Sequence, residues 1–156
     1  ARSLHHMARV HSLKGRYNDA MSVLRQSLAV KEELDDDSGL ASAYHELGNL
    51  EFRQNNMEEA LEAYEKAFEL EEQTLDTPGI AVTQAQIGLV RKEMFHFADA
   101  IRSFGIARDL FNRLQSPYVQ TLDKALGSAK EMVDEDVYNS MLEEAEEYVN
   151  AILYAD

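Results

Sequence analysis

The side chains most able to do chemistry in this sequence are five histidines, at positions 5, 6, 11, 45 and 96. The stretch "HELGN" begins at His45 like a zinc-binding helix, but the second histidine that a His-Glu-x-x-His site requires is missing. His5 and His45 stand at equivalent places of the repeat described below, so two neutral imidazoles could share a metal ion. Histidines on adjacent surface helices are usually plain surface residues, and we therefore expect no metal site.

Other catalytic patterns are also missing from the sequence. The chain has no cysteine, which excludes thiolate metal sites and cysteine nucleophiles. It has no glycine-rich phosphate loop, nucleophile elbow or paired-carboxylate motif. We therefore expect a protein that is not an enzyme, with no catalytic residue and no cofactor.

The charge of the chain narrows the class of partner. The 156 residues include 29 acidic and 15 basic side chains, a formal net charge of −14. Phosphate backbones and anionic membranes select basic surfaces, so nucleic acid and membrane are disfavoured as partners. We expect a protein or peptide partner and a cytoplasmic location, and the oligomeric state stays open. Because the chain begins with Ala1 rather than Met, we also expect it to be part of a longer gene product.

Small and aromatic residues recur at intervals of forty positions. The aligned sets are Ala20, Ala60 and Ala100; Leu24, Tyr64 and Phe104; and Ala8, Gly48 and Gly88. A fourth unit follows one residue closer, where Gly127 aligns with Gly88, and its second half departs from the pattern. A fixed period of this length is typical of stacked helical repeats, whose terminal units are often atypical.

Hydrophobic periodicity divides each unit into two helices. The predicted helices cover residues 2–14, 17–34, 38–54, 57–74, 78–94, 97–115, 117–132 and 135–154. Asp37-Ser38, Thr77 and Ser116 are the expected caps at helix starts, the last two because a proline follows each. Positions without side-chain bulk, such as Gly48 and Ala60, predict that the two helices of a pair cross closely, with aromatic residues filling the surrounding space.

These residues resemble the tetratricopeptide repeat family, whose pattern combines Leu-Gly at positions 7–8, Ala at 20 and 27, and aromatics at 4, 11 and 24. The second repeat carries Tyr44, Leu47-Gly48, Ala60, Tyr64 and Ala67, but Glu51 replaces the aromatic at position 11. The forty-residue unit is similar to the long-repeat arrays of kinesin light chains, G-protein signalling modulators and bacterial quorum-response regulators.

The resemblance implies an all-α fold, a right-handed α-α superhelix of about four helix pairs whose last pair is a divergent C-terminal cap. It implies one domain over residues 1–156, with repeats at about 1–40, 41–80, 81–119 and 120–156.

The resemblance also implies a binding face, since positions 2, 5, 9 and 12 of each first helix line the concave groove in the family. Their spacing puts them on one stripe of the helix here as well. The stripe holds four Lys or Arg and one acid, which favours a partner segment carrying acidic residues; a mixed, solvated surface is the alternative interpretation. The predicted partner-binding residues are Arg2, His5, Arg9, His45, Asn49, Phe52, Leu89, Lys92 and Lys124.

We therefore expect a non-catalytic scaffold that binds a peptide or protein segment in that groove. The alternative is a regulatory or sensor segment of a larger signalling protein that controls an attached effector domain. Self-assembly through the end helices is a third possibility. The family's clamp for C-terminal carboxylates is excluded, because Glu46 and Val82 stand where that clamp needs Asn and Lys.

Overall fold

The computed structural model describes residues 4, 6, 7 and 16–155. The chain forms two compact units, the first ending at Thr74 and the second beginning at Leu75. The first unit contains α1 (Tyr17–Glu33), α2 (Asp37–Arg53) and α3 (Met57–Gln73). The second contains α4 (Thr77–Glu93), α5 (Phe97–Arg113), α6 (Val119–Lys130) and α7 (Glu135–Leu153).

The predicted helices are confirmed within a few residues over the part of the chain that the structure describes. The largest difference is α6, which begins at Val119 and ends at Lys130 instead of covering 117–132. The predicted helix at 2–14 lies outside the described residues except for Leu4, His6 and Met7, which are helical. In the first unit α2 packs against α1 and α3; in the second, α5 packs against α4, α6 and α7.

The close crossing of paired helices depends on a glycine that faces an aromatic ring. A Cβ atom placed on Gly48 would lie 2.6 Å from the Tyr64 ring, and one placed on Gly88 would lie 2.5 Å from the Phe104 ring. Both rings are completely or almost completely buried, as are Ala60 and Ala100. The sequence prediction of a close crossing is thus refined, because the atoms nearest to each missing side chain belong to the aromatic ring of the paired helix.

Five of the six turns between the described helices share one backbone conformation, and the turn between α6 and α7 is the exception. Asp35, Asn55, Leu75, Phe95 and Gln115, spaced twenty residues apart, have positive φ angles between 50° and 64°. After α2, the Asn56 N–H donates to the Glu51 carbonyl at 2.9 Å and the Asn55 N–H donates to the Phe52 carbonyl at 3.0 Å. This is the Schellman arrangement, in which a left-handed residue satisfies the last helical carbonyls. Glycine is the usual residue at such a position, so a bulky side chain there is strained.

Two helices of the repeat begin with an aspartate cap. The Asp36 and Asp76 side chains each accept a hydrogen bond of 3.0 Å from a backbone N–H, that of Gly39 and Gly79 respectively. The expected caps Asp37-Ser38 and Thr77 are therefore corrected by one residue. At the start of α6, the Ser116 hydroxyl accepts from the Tyr118 N–H at 3.3 Å, and the helix begins after Pro117 and Tyr118.

The last helix packs differently from its counterparts. Gly105 on α5 faces Ala145 on α7, where an added Cβ would lie 2.9 Å from the alanine methyl. Ala145 and Val149 form the buried stripe of α7. Gly127, the fourth member of the glycine series, meets no atom within 4 Å of a Cβ placed on it, so the ring contact of the other pairs is missing here. The divergence predicted for the last pair therefore appears in its packing.

Alanine at Gly88 and at Gly127 should have opposite effects on stability. Gly88→Ala forces its methyl group against Phe104 and should cost about 1–3 kcal/mol. Gly127→Ala meets open space and should gain about 0.5–1 kcal/mol from helix propensity. Urea unfolding followed by circular dichroism gives both midpoints. A shift of both variants in the same direction would contradict the ring contact.

Asparagine at Leu75 should stabilise the protein by about 1 kcal/mol, because Asn tolerates the left-handed conformation that strains leucine. The matched control is Leu34→Asn, which replaces a similarly exposed leucine whose φ is −96°. Thermal unfolding of the two variants compares them. Equal melting temperatures would show that the turn stores no strain at Leu75.

Candidate functional site

An apolar groove of about 320 Å³ lies in the second unit, between α4 and α6 and above α5. On α4 it is lined by Val82, Ala85 and Leu89, which share one face because they are spaced three and four residues apart. Phe104 and Phe111 of α5 contribute to its lining. The remaining lining residues are Gln86, Tyr118, Thr121, Leu122 and Ala125. Three positions of the predicted stripe on α4 therefore share one cavity with Thr121 from the next repeat.

Several apolar side chains that line the groove are partly exposed to solvent. Val82 is 40% exposed and Leu89 is 38% exposed, and each belongs to a helix whose opposite face is buried. Tyr118 is exposed and its ring lies 5.6 Å from that of Phe111, centroid to centroid, at an interplanar angle of 45°. Small residues at 85 and 125 leave the space between the two helices unfilled. The cavity can therefore receive apolar side chains from outside the chain.

Charged residues lie beside this groove without lining it. Lys92 continues the α4 stripe one turn beyond Leu89, and Lys124 is an exposed residue of α6 next to Ala125. Asp123 on α6 is paired with Arg108 on α5, so its charge is balanced within the fold. Two positive charges therefore stand next to residues that line the groove.

The first unit brings His45 and Asn49 of α2 together around Tyr64 of α3. The His45 ring stands edge-on to the Tyr64 ring, with centroids 5.4 Å apart and an interplanar angle of 63°. The Tyr64 hydroxyl donates a hydrogen bond of 2.7 Å to Asn49 Oδ1. Because Gly48 lies between these two residues and faces the same ring, its lack of a side chain permits both contacts.

Burial sets the protonation states of this cluster. Desolvation lowers the pKa of His45, an effect partly opposed by Glu46, and desolvation raises the pKa of Tyr64. At neutral pH the imidazole and the phenol are therefore both uncharged. The α2 stripe therefore presents neutral polar groups at His45 and Asn49. The side-chain amide nitrogen of Asn49 is a hydrogen-bond donor of the kind that a partner's backbone carbonyl accepts.

The predicted site residues lie in different parts of the structure. Leu89 lines the groove, Lys92 and Lys124 lie beside it, and His45 and Asn49 contact Tyr64. Phe52 is half-buried near the end of α2. Arg2, His5 and Arg9 lie outside the described residues, and a role in binding stays a prediction for all nine.

Sequence reasoning missed the contribution of Phe111 and Tyr118. Phe111 follows Lys31 and Glu71 in the forty-residue series, so an aromatic side chain replaces a charged one at that place of the repeat. Both charged counterparts are buried, which shows that the position faces inward. The aromatic residue at this inward-facing position could have indicated, from the sequence alone, that this repeat is more apolar than the others.

Within residues 4, 6, 7 and 16–155, no three histidine, aspartate or glutamate side chains are grouped so that they could hold a metal ion. Over the same residues, none of the helices combines the length and the apolar character that crossing a bilayer requires.

Comparison with known proteins identifies the repeat. Two sequence models, both described as tetratricopeptide repeat, match residues 39–113 and residues 1–34. The first match covers α2 to α5, which contain both glycine–ring crossings. No curated protein matches the sequence. The all-α helical-repeat fold predicted from the sequence is confirmed.

Protonation of His45 should destabilise the protein as the pH falls. The folded pKa is lowered from the ordinary value of 6.5, so the unfolded chain takes up a proton first. The stabilisation from neutral His45 is complete above about pH 6.5 and is lost as the pH falls below that value. His45→Gln should flatten the pH dependence of the unfolding midpoint between about pH 7 and 5.5, whereas His96→Gln, at an exposed histidine, should preserve it. An unchanged slope in His45→Gln would contradict this prediction.

Proposed function

Because the chain belongs to the tetratricopeptide repeat family, whose repeats mediate protein–protein interaction, we propose that it is a non-catalytic scaffold that binds a partner segment in the groove between α4 and α6. The observation that carries the proposal is the apolar cavity of about 320 Å³ on the stripe where the family binds its partners. Concave sites of this kind, apolar with a few polar groups around them, are the usual form of a binding pocket.

The occupant that fits best is a peptide segment with one or two large apolar side chains. Burying one such side chain contributes about 1.5–3 kcal/mol, and the exposed faces of Val82 and Leu89 would be desolvated with it. A segment of this kind uses the helix-in-groove or extended mode of peptide recognition, in which regularly spaced anchors give the affinity.

Acidic residues next to those anchors would complete the segment. Lys92 and Lys124 stand beside the groove, and Asp123 is already neutralised by Arg108. Exposed ion pairs contribute little to affinity but favour one sign of charge over the other. In the first unit, Asn49 would donate a hydrogen bond to a segment backbone, and Arg2, His5 and Arg9, outside the described residues, stay predicted contacts.

A charged residue at Leu89 tests the groove directly. The probes are fluorescent peptides with a pair of leucines flanked by glutamates, and a version in which serines replace the leucines. Leu89→Glu should weaken binding of the leucine peptide about tenfold or more, because a carboxylate in the apolar groove loses its hydration. Leu34→Glu, a matched change at an exposed leucine of the first unit, should leave the affinity unchanged.

Charge reversals test the expected sign of the segment. Lys124→Glu should weaken the glutamate-flanked peptide about two- to fivefold at low salt, and added salt should remove the difference. Arg25→Glu, an exposed reversal on α1, is the control. Equal affinity of wild type and Leu89→Glu for the leucine peptide would refute the groove, and a preference for lysine-flanked peptides there would refute the acidic segment.

A further inference from the structure

An exposed aromatic residue occupies the turn between α4 and α5, where the backbone disfavours it. Phe95 is 77% exposed and has a φ of 61°. The residue forty positions earlier, with the same conformation, is Asn55, which tolerates left-handed backbone well. Within the described fold, the Phe95 ring meets the Phe97 ring edge-on, with centroids 6.1 Å apart. Backbone strain and an exposed ring together are unfavourable for the isolated fold, and such outliers point to function.

The register of α5 and α7 brings a second apolar turn to the same edge of the second unit. Gly105 faces Ala145, and further along both helices Arg113 donates to the Tyr154 hydroxyl at 3.2 Å. Because the residue numbers of the contacting residues increase together along both helices, the two helices run parallel. Phe97 and Val137 each stand eight residues before the Gly105–Ala145 contact, so the register puts the two helix starts, and the turns that precede them, at the same end of the α5–α7 pair.

We call this surface the aromatic edge and define it by its four apolar side chains, Phe95, Phe97, Met132 and Val137. Phe95 and Met132 are exposed, Val137 is 37% exposed and Phe97 is half-buried. The two turns have related sequences, "KEMF" at 92–95 and "KEMV" at 130–133. The groove between α4 and α6 is lined by none of these four residues, so the two surfaces are separate.

Acidic residues are concentrated in the two chain segments that form the aromatic edge. Residues 92–99 and 130–137 contain six exposed carboxylates and two lysines; the carboxylates are Glu93, Asp99, Glu131, Asp134, Glu135 and Asp136. One of the lysines, Lys130, has its ammonium group 5.0 Å from the centre of the Tyr138 ring. An apolar patch with an acidic border attracts a segment that carries apolar anchors between Lys or Arg residues.

From this arrangement we propose that the aromatic edge binds a basic, apolar-anchored segment of a protein partner, independently of the groove. The partner's apolar side chain covers Phe95 and Met132 while its Lys or Arg residues pair with the carboxylates around them. A second copy of the chain fits less well, since pairing two such edges would bring twelve carboxylates together in a protein of net charge −14. Phosphate-bearing partners are repelled for the same reason.

The test uses three labelled peptides and variants of the complete chain. The first peptide alternates leucine or phenylalanine anchors with lysine and arginine; the second replaces the basic residues by glutamate, and the third replaces the anchors by serine. The first should bind wild-type protein, and the second and third should bind at least about tenfold more weakly. Phe95→Asn should reduce the affinity for the first peptide about tenfold without destabilising the fold, because asparagine is accepted at the equivalent turn.

A pair of charge reversals separates the local border from the overall charge. Glu135→Lys with Asp136→Lys, in the first turn of α7, should weaken binding about tenfold at low salt. Glu58→Lys with Glu59→Lys changes the net charge equally in the first turn of α3 and should have no such effect. Leu89→Glu should also leave this affinity unchanged, which keeps the result distinct from that of the groove.

Each contrary outcome overturns the proposal. These outcomes are no binding of the basic peptide to wild type, equal binding of the serine version, or an unchanged affinity in Phe95→Asn. Sedimentation that shows a concentration-dependent dimer, abolished by Phe95→Asn, would assign the aromatic edge to self-association instead. Loss of binding in Leu89→Glu would assign the basic peptide to the groove.

Discussion

The contact of a glycine with an aromatic ring organises the two central helix pairs of this protein, α2 with α3 and α4 with α5. Gly48 packs against the Tyr64 ring and Gly88 against the Phe104 ring, each so closely that a methyl group on the glycine would overlap the ring. The ring is buried because the neighbouring alanines, Ala60 and Ala100, let the helices come close around it. Close packing of this kind tolerates little change in volume, so the contact defines how the two helices cross. The other features of the pair depend on that crossing.

In the first unit, the same contact assembles a polar cluster. Tyr64 reaches Asn49 with its hydroxyl and His45 with its ring, because both residues flank the glycine on α2. In the second unit the equivalent ring is Phe104, which has no hydroxyl, and the helix face above it is apolar. One exchange of Tyr for Phe therefore accompanies a change from a polar face to an apolar groove. The repeat preserves the crossing while the chemistry above it varies.

The second unit carries two surfaces of different chemistry. The groove between α4 and α6 is formed by helix faces and has lysines beside it, and we propose that its occupant carries apolar anchors with acidic neighbours. The aromatic edge is formed by turns, has carboxylates around it and suits apolar anchors with basic neighbours. Surfaces with opposite borders discriminate between partners by charge, while apolar contact supplies the affinity of each.

The sequence by itself determined the helices, their pairing and the crossing residues, since a forty-residue period and the helical spacing of small and aromatic residues depend on local backbone geometry. It also placed Val82, Ala85 and Leu89 on one stripe. Only the tertiary structure decided that these residues share a cavity with Phe111 and Tyr118, and that Asn49 bonds to Tyr64. Such contacts join residues on different helices, and their distances depend on how the helices pack rather than on spacing along the chain.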